Sequence, residues 1–117
     1  MGGKSTYLRA VCLNIILAQI GSFVQAKSFQ LPVYDQIFTR IGAQDRILEG
    51  KSTFFVELEE CKQILDDATP KSIVIMDELG RGTSTHDGLA IAKAVSIYLV
   101  RSVQCQVLFT THYHGLV

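Results

Sequence analysis

The sequence predicts an α/β fold of three layers, with helices on both faces of a mainly parallel sheet. Three observations carry that expectation. Short apolar runs alternate with stretches of helical periodicity, the pattern of strands joined by crossover helices. The run Ile73 to Met76 has no polar break, as a strand buried on both faces requires. Polar groups then gather directly after strands, at Asp77 and Glu78 and again at Thr110 to His114, and open parallel sheets bind ligands at those ends.

Taken in order, the chain opens Met1-Gly2-Gly3-Lys4-Ser5-Thr6, the closing half of the pattern G-x-x-x-x-G-K-[ST], whose first glycine would lie three positions before Met1. Each residue type has a chemical reason. Glycines let backbone N–H groups turn onto phosphate oxygens, the lysine adds a cation, and a serine hydroxyl is a ligand for Mg²⁺. Gly2, Gly3, Lys4, Ser5 and Thr6 are therefore candidate nucleotide-binding residues, with Ser5 also a candidate metal ligand. The same string also fits plain punctuation before a helix. A helix does follow, because Leu8, Val11, Cys12, Ile15 and Ile16 recur at helical spacing and Gly21 supplies a stop. Its amino-terminal dipole would face the phosphates. Leu13 and Leu17 add apolar surface on another side, as for a helix inside a larger body.

Pro32 breaks the chain, and Gln36 to Ile41 reads as a short strand. Gly42 to Lys51 is mostly polar and reads as a mobile loop, in which Gln44 and Asp45 either approach a nucleotide or metal or simply face solvent. Ser52 and Thr53 precede the stripe Phe54, Leu58, Cys61 and Leu65, so Ser52 is placed to cap a second helix. That helix end equally suits an anion. Asp66, Asp67 and Pro70 close it, and the buried strand follows. Asp77 then stands where a Mg²⁺ ligand is common beside a nucleotide, and Glu78 where a base can take a proton from water. A strand ending in a solvated acidic turn has the same appearance.

Leu79 to Gly88 holds three glycines among small polar residues and reads as a loop. Leu89, Ala92, Val95, Tyr98 and Leu99 form another helical stripe, and Val107 to Phe109 another buried strand. It runs into His112, a candidate for sensing or holding a terminal phosphate, with surface and capping roles equally open.

Length and composition bound these readings. At 117 residues and 48% hydrophobic content the chain is one globular segment without repeat or linker, small for a nucleotide-hydrolysing domain. Eleven basic and eleven acidic side chains cancel, so no basic excess advertises nucleic acid or an anionic membrane. Cys12, Cys61 and Cys105 are odd in number and far apart, which predicts reduced thiols rather than a disulfide framework or zinc site. Apolar runs are too short to span a bilayer and no signal-peptide pattern follows Lys4 and Arg9, so neither membrane insertion nor secretion is expected.

Lys4 and Asp77 are 73 residues apart, room for a helix, a strand and a second helix between them. A phosphate loop opening a helix, a strand ending in two acids and a later strand ending in histidine together point to nucleotide hydrolysis. The strings Met-Gly-Gly-Lys-Ser-Thr at 1–6, Ser-Thr-Phe-Phe-Val-Glu-Leu at 52–58, Asp-Glu-Leu-Gly-Arg-Gly-Thr-Ser-Thr at 77–85 and Thr-His-Tyr-His at 111–114 resemble, in order, the motifs of one family. That family is the ATPase domain of MutS-type DNA mismatch-repair proteins, within the ABC ATPase superfamily. Gly-Ala-Gln-Asp-Arg-Ile at 42–47, taken with 52–58, looks most like the mismatch-recognising subunit of the eukaryotic MutS-alpha heterodimer.

The resemblance implies a P-loop NTPase fold of the ABC type, with residues 1–117 a partial ATPase domain that lacks the strand before the phosphate loop. It implies ATP and Mg²⁺ as cofactors, a nuclear location, and composite sites in a dimer where Ser52 contacts ATP held by a second MutS-family subunit. Residues 79–85 would lie near that interface and His112 would be the switch histidine. Mismatched duplex DNA would be held by other domains, and a MutL-type protein recruited when ATP converts the dimer into a sliding clamp. A MutS-like clamp on DNA junctions in meiotic recombination shares these motifs and is the alternative. A transporter or chromosome-organising ATPase would show a string like Leu-Ser-Gly-Gly-Gln, which does not occur. A lobe used only for dimerisation is disfavoured by the joint presence of Lys4, Ser5, Asp77, Glu78 and His112. The segment alone is expected to bind ATP poorly and to fold unstably.

Overall fold

A computed structural model of the chain describes residues 3–42 and 52–116, so Gly2, Gln44 and Asp45 lie outside the described residues. The elements are α1 (Lys4–Gln19), β1 (Ile37–Arg40), α2 (Thr53–Asp67), β2 (Ile73–Asp77), α3 (Thr85–Tyr98) and β3 (Gln106–Thr110). The three strands pair in the order β1-β2-β3, all parallel. The register sets Arg40 opposite Met76, and Asp77 opposite Thr110.

Because side chains alternate across a strand, β2 sends its residues to two different helix layers. Ile73 and Ile75 pack with Leu8 and Ile15 of α1 and with Tyr34. Val74 and Met76 pack with Cys61 and Ile64 of α2 and with Ala92 and Val95 of α3. The expected three layers follow: α1 on one face, α2 and α3 on the other. Val74, Ile75 and Met76 are each 0% exposed, a burial worth roughly 1.5–3 kcal/mol per side chain. They form the centre of the core.

Three readings of the helices change in detail. On α1 only Leu8 and Ile15 are buried, while Leu13, Ile16 and Ile20 stand exposed, so within this chain the helix packs by one face. On α2 the buried set is Val56, Glu57, Cys61 and Ile64 rather than Phe54, Leu58, Cys61 and Leu65. Leu58 is 36% exposed. The helix is turned so that a carboxylate, Glu57, faces inward to Arg40, and a search for apolar spacing passes over such a residue. α3 begins earlier than its apolar stripe, because Ser84 Oγ accepts from the Asp87 backbone N–H at 3.2 Å and donates to Asp87 Oδ2 at 2.7 Å. Gly88 is therefore helical and the loop after β2 is short. After α3 the chain runs on through a π-helical turn, Leu99–Val103, closed by Gln104 in the left-handed region. Tyr98 is exposed. Among the described residues no helix is long and apolar enough to cross a membrane.

Cys61 and Cys105 are buried and Cys12 is half-buried. Burial, reinforced by the negative charge of nearby Glu57, pushes the Cys61 thiol up from 9.0 to about 11. Its raised value means that the unfolded chain ionises first. The thiol's contribution to stability is thus whole below pH 9.0 and is lost as pH rises towards about 11. Iodoacetamide at pH 8 should leave Cys61 unmodified in the native protein and alkylate it once the protein is unfolded, as mass spectrometry of the peptides will report. Native-state labelling as fast as unfolded-state labelling would contradict the burial.

Candidate functional site

The amino ends of α1 and α2 meet the carboxyl ends of β1 and β2 around a cavity of about 800 Å³. The start of α1 contributes Gly3, Lys4, Ser5 and Thr6 to its lining. β1 ends there with Arg40 and Gly42, and α2 adds Ser52, Thr53, Phe54 and Glu57. Asp77, Glu78, Arg81 and Gly82 close it from the segment after β2.

The helix ends differ in a way that matters for anions. α2 and α3 are capped by the hydroxyls of Ser52 and Ser84, whereas α1 begins at Gly3, which has a left-handed φ of 69° and no side chain to offer. Among the described residues, Tyr7 N–H is the first to bond back, to Gly3 O at 2.9 Å. The N–H groups of Lys4, Ser5 and Thr6 are therefore beyond the reach of the helix's own carbonyls. They point the positive end of the α1 dipole at the cavity, beside the Lys4 ammonium. Gly3 fits this place because a left-handed cap carries no penalty without a Cβ.

Asp77 joins three elements. Ser5 Oγ from α1 donates to its Oδ2, and Thr110 Oγ1 from β3 donates to its Oδ1. Next to it, Glu78 has φ 51°, a left-handed geometry that costs a residue with a Cβ about 1–3 kcal/mol. Its backbone N–H donates to Thr110 O at 3.0 Å. Its carboxylate lies 3.5 Å from Lys4 Nζ and accepts from Arg81 Nη1 at 3.0 Å. Lys4 and Arg81 are 49% and 78% exposed, so each pair is worth at most about 1 kcal/mol and yields readily to a competing anion.

The structure thus brings Gly3, Lys4, Ser5, Thr6, Asp77 and Glu78 to one cavity, with Ser52 on its lining and also capping α2 through Phe55 N–H at 3.1 Å. His112 is not in that lining. It is exposed, with its ring centroid 4.1 Å from that of Tyr113. Sequence reasoning missed Arg40 and Glu57, and met Thr110, Arg81 and Tyr113 only inside longer runs, with no role of their own. Parallel pairing with β2 would have found Thr110, the residue that ends the next strand. For the inward turn of Glu57 toward Arg40 the sequence carries no comparable signal.

Beneath the site, Gly80 and Gly88 touch. A Cβ on Gly80 would sit 2.6 Å from Gly88 O, and one on Gly88 would sit 2.1 Å from the Tyr113 hydroxyl. This contact ties the segment after Glu78 to the first turn of α3.

Comparison with known proteins adds a family. MutS domain V matches residues 1–117. The DNA mismatch repair protein MutS of Pelotomaculum thermopropionicum is 56% identical over 116 residues, which is 99% of this chain and 13% of that protein. The DNA mismatch repair protein msh-3 of Neurospora crassa is 61% identical over 99% of this chain and 10% of its own length. The MutS of Solibacter usitatus is 59% identical over 99% of this chain and 13% of its own. The chain spans 10–13% of the length of these curated relatives.

The Gly80–Gly88 contact makes a stability prediction. Gly88→Ala should destabilise the fold by about 1–3 kcal/mol, the cost of forcing atoms into a filled core. Gly115→Ala, whose new Cβ would meet only Leu89 side-chain atoms at 3.9 Å, should stay within about 0.5 kcal/mol. Urea denaturation of the two variants against the native protein decides it, and equal midpoints would refute the contact.

Proposed function

The chain belongs to the MutS domain V family, and from that premise we propose that it is the ATP-binding and ATP-hydrolysing part of a DNA mismatch-repair protein. One observation supports this reading above the others: Lys4, Ser5, Asp77 and Glu78, separated widely in sequence, converge on a single cavity beside an uncapped helix end.

The residues suit ATP with Mg²⁺. The N–H groups at the start of α1 and the Lys4 ammonium would take the phosphates. Ser5 and Asp77, already joined by a hydrogen bond, would hold Mg²⁺, an ion that takes one or two carboxylates and completes its shell with phosphate and water oxygens. Held by these residues, the ion would supply positive charge against the phosphate oxygens. Glu78 would accept a proton from the attacking water, and its present partners are exposed and easily exchanged. Thr110 keeps the Asp77 carboxylate oriented. His112 is exposed and outside the lining.

At the scale of the whole protein, the reading includes a second MutS-family subunit, with Ser52 and residues 79–85 on the side that meets it. Mismatched duplex DNA would be bound by other domains of the longer protein, which accords with the balanced charge of this segment. ATP state would govern the DNA clamp and the recruitment of a MutL-type partner, in the nucleus.

The test uses the full-length protein with its partner subunit. Glu78→Gln should lower ATP turnover by about 10²–10⁴-fold while ATP binding persists, and Lys4→Ala should weaken binding itself. Native turnover should respond to mismatched duplex. Turnover that ignores mismatches and responds to branched DNA would instead support a recombination clamp, and turnover unchanged in Glu78→Gln would remove Glu78 as the base.

A further inference from the structure

Glu57 has no part in the chemistry above, yet its carboxylate is 2% exposed. A charge so placed is tolerated only with a partner and hydrogen bonds. Its Oε1 lies 3.3 Å from Arg40 Nη2 and accepts from the Gly80 backbone N–H at 2.9 Å. Arg40 is itself held, since Nη1 donates to Gly42 O at 2.6 Å. Its Nε lies 3.1 Å from Glu60 Oε2 as a charge contact, without the angle of a hydrogen bond. Gly80 O, in turn, accepts from the buried Tyr113 hydroxyl at 2.9 Å. Burial, together with the Glu57 charge, pushes that hydroxyl's ionisation upward, so it remains a donor.

Gly80, two residues after Glu78, therefore has both backbone polar groups fixed by buried side chains. Among the described residues, the Glu78 carboxylate, by contrast, pairs with the exposed side chains of Lys4 and Arg81. Its aim must come from the backbone: the left-handed φ of 51°, the N–H bond to Thr110, and whatever holds the turn that follows.

We propose that Glu57 is a positioning residue for ATP hydrolysis: paired with Arg40, it holds the Gly80 N–H and so keeps the 78–80 turn in the geometry that presents Glu78 to the cavity. This rests on Glu78 being the base, and the experiment separates the two claims. A purely structural role makes a different forecast. Removing Glu57 alone leaves the Arg40 charge buried without its carboxylate partner, which lowers the stability of the fold, and that loss has no reason to act through Glu78.

The test is a double-mutant cycle in the full-length protein with its partner subunit, reading single-turnover hydrolysis and ATP affinity. Glu57→Met fills the space but cannot accept the Gly80 N–H. It should lower the hydrolysis rate by about 10–100-fold, the scale of a misplaced catalytic group, with ATP affinity within about twofold of native. Glu57→Gln keeps an acceptor for Gly80 and should retain most of the rate. In a Glu78→Gln background, Glu57→Met should add no further loss, because a residue acting through Glu78 has nothing left to position. A full multiplicative loss in that background overturns the proposal, as does an unchanged rate in Glu57→Met. Should Glu57→Met fail to fold, Tyr113→Phe serves in the same cycle, since it frees Gly80 O while leaving the Arg40–Glu57 pair whole. Its loss must likewise vanish in the Glu78→Gln background, and a multiplicative loss refutes the clamp. If Glu78→Gln alone hydrolyses ATP at the native rate, the base assignment fails, whatever Glu57 does.

Discussion

With Val74, Ile75 and Met76 wholly out of solvent, β2 must be covered by helices on both faces and by strands along both edges. That requirement puts α1 on one side, α2 and α3 on the other, and β1 and β3 alongside. It also leaves one place where the strand's chemistry meets solvent, its carboxyl end. Three parallel strands end on the same side, so Arg40, Asp77 and Thr110 share one rim. The carboxylate of Asp77 then joins α1, through Ser5, to β3, through Thr110, and fixes that helix against the sheet.

Two kinds of ion pair lie within this rim, and burial separates their roles. The contacts of Glu78 with Lys4 and Arg81 are exposed, individually weak, and open to exchange with phosphate oxygens or water. The Arg40–Glu57 pair is buried, and breaking it would leave a charge without solvent or partner. The proposed exchange of a highly charged ligand would use the first kind at the surface and the second kind beneath. The strained φ of Glu78 fits between them, because a left-handed carboxylate residue persists only where neighbours on both sides over-determine it.

The parts of this arrangement that were legible in the sequence are those set by local pattern. The unbroken run at Ile73 to Met76 marked β2, and the glycine-lysine-serine string marked the start of α1. Asp66, Asp67 and Pro70 marked the end of α2 at Asp67. Where a tertiary pair or a local cap overrode the apolar pattern, the reading drifted. Leu58 looked like core and is exposed because Glu57, drawn inward by Arg40, turns the helix. Gly88 looked like loop and is helical because the Ser84 cap starts α3 earlier. The Arg40–Glu57 contact joins residues whose spacing along the chain gives no sign of it, whereas the Ser84–Asp87 cap is a local signal three residues long that the apolar stripe did not include.

The glycines after β2 show how such a contact constrains the site. Gly80 has φ 90° and its backbone presses on Gly88 with no room for a Cβ on either. Because Gly88 lies in the first turn of α3, the segment from Glu78 to Gly80 is bound to that helix, and through Tyr113 to the residues after β3. Leu79 between them is 0% exposed and anchors the same turn in the core. A displacement of α3 or of the Tyr113 hydroxyl therefore transmits to the backbone beside Glu78 more directly than it does to the exposed side chains around the carboxylate. The rigid path to the acid runs from below, through the core, and the adjustable one runs across the surface.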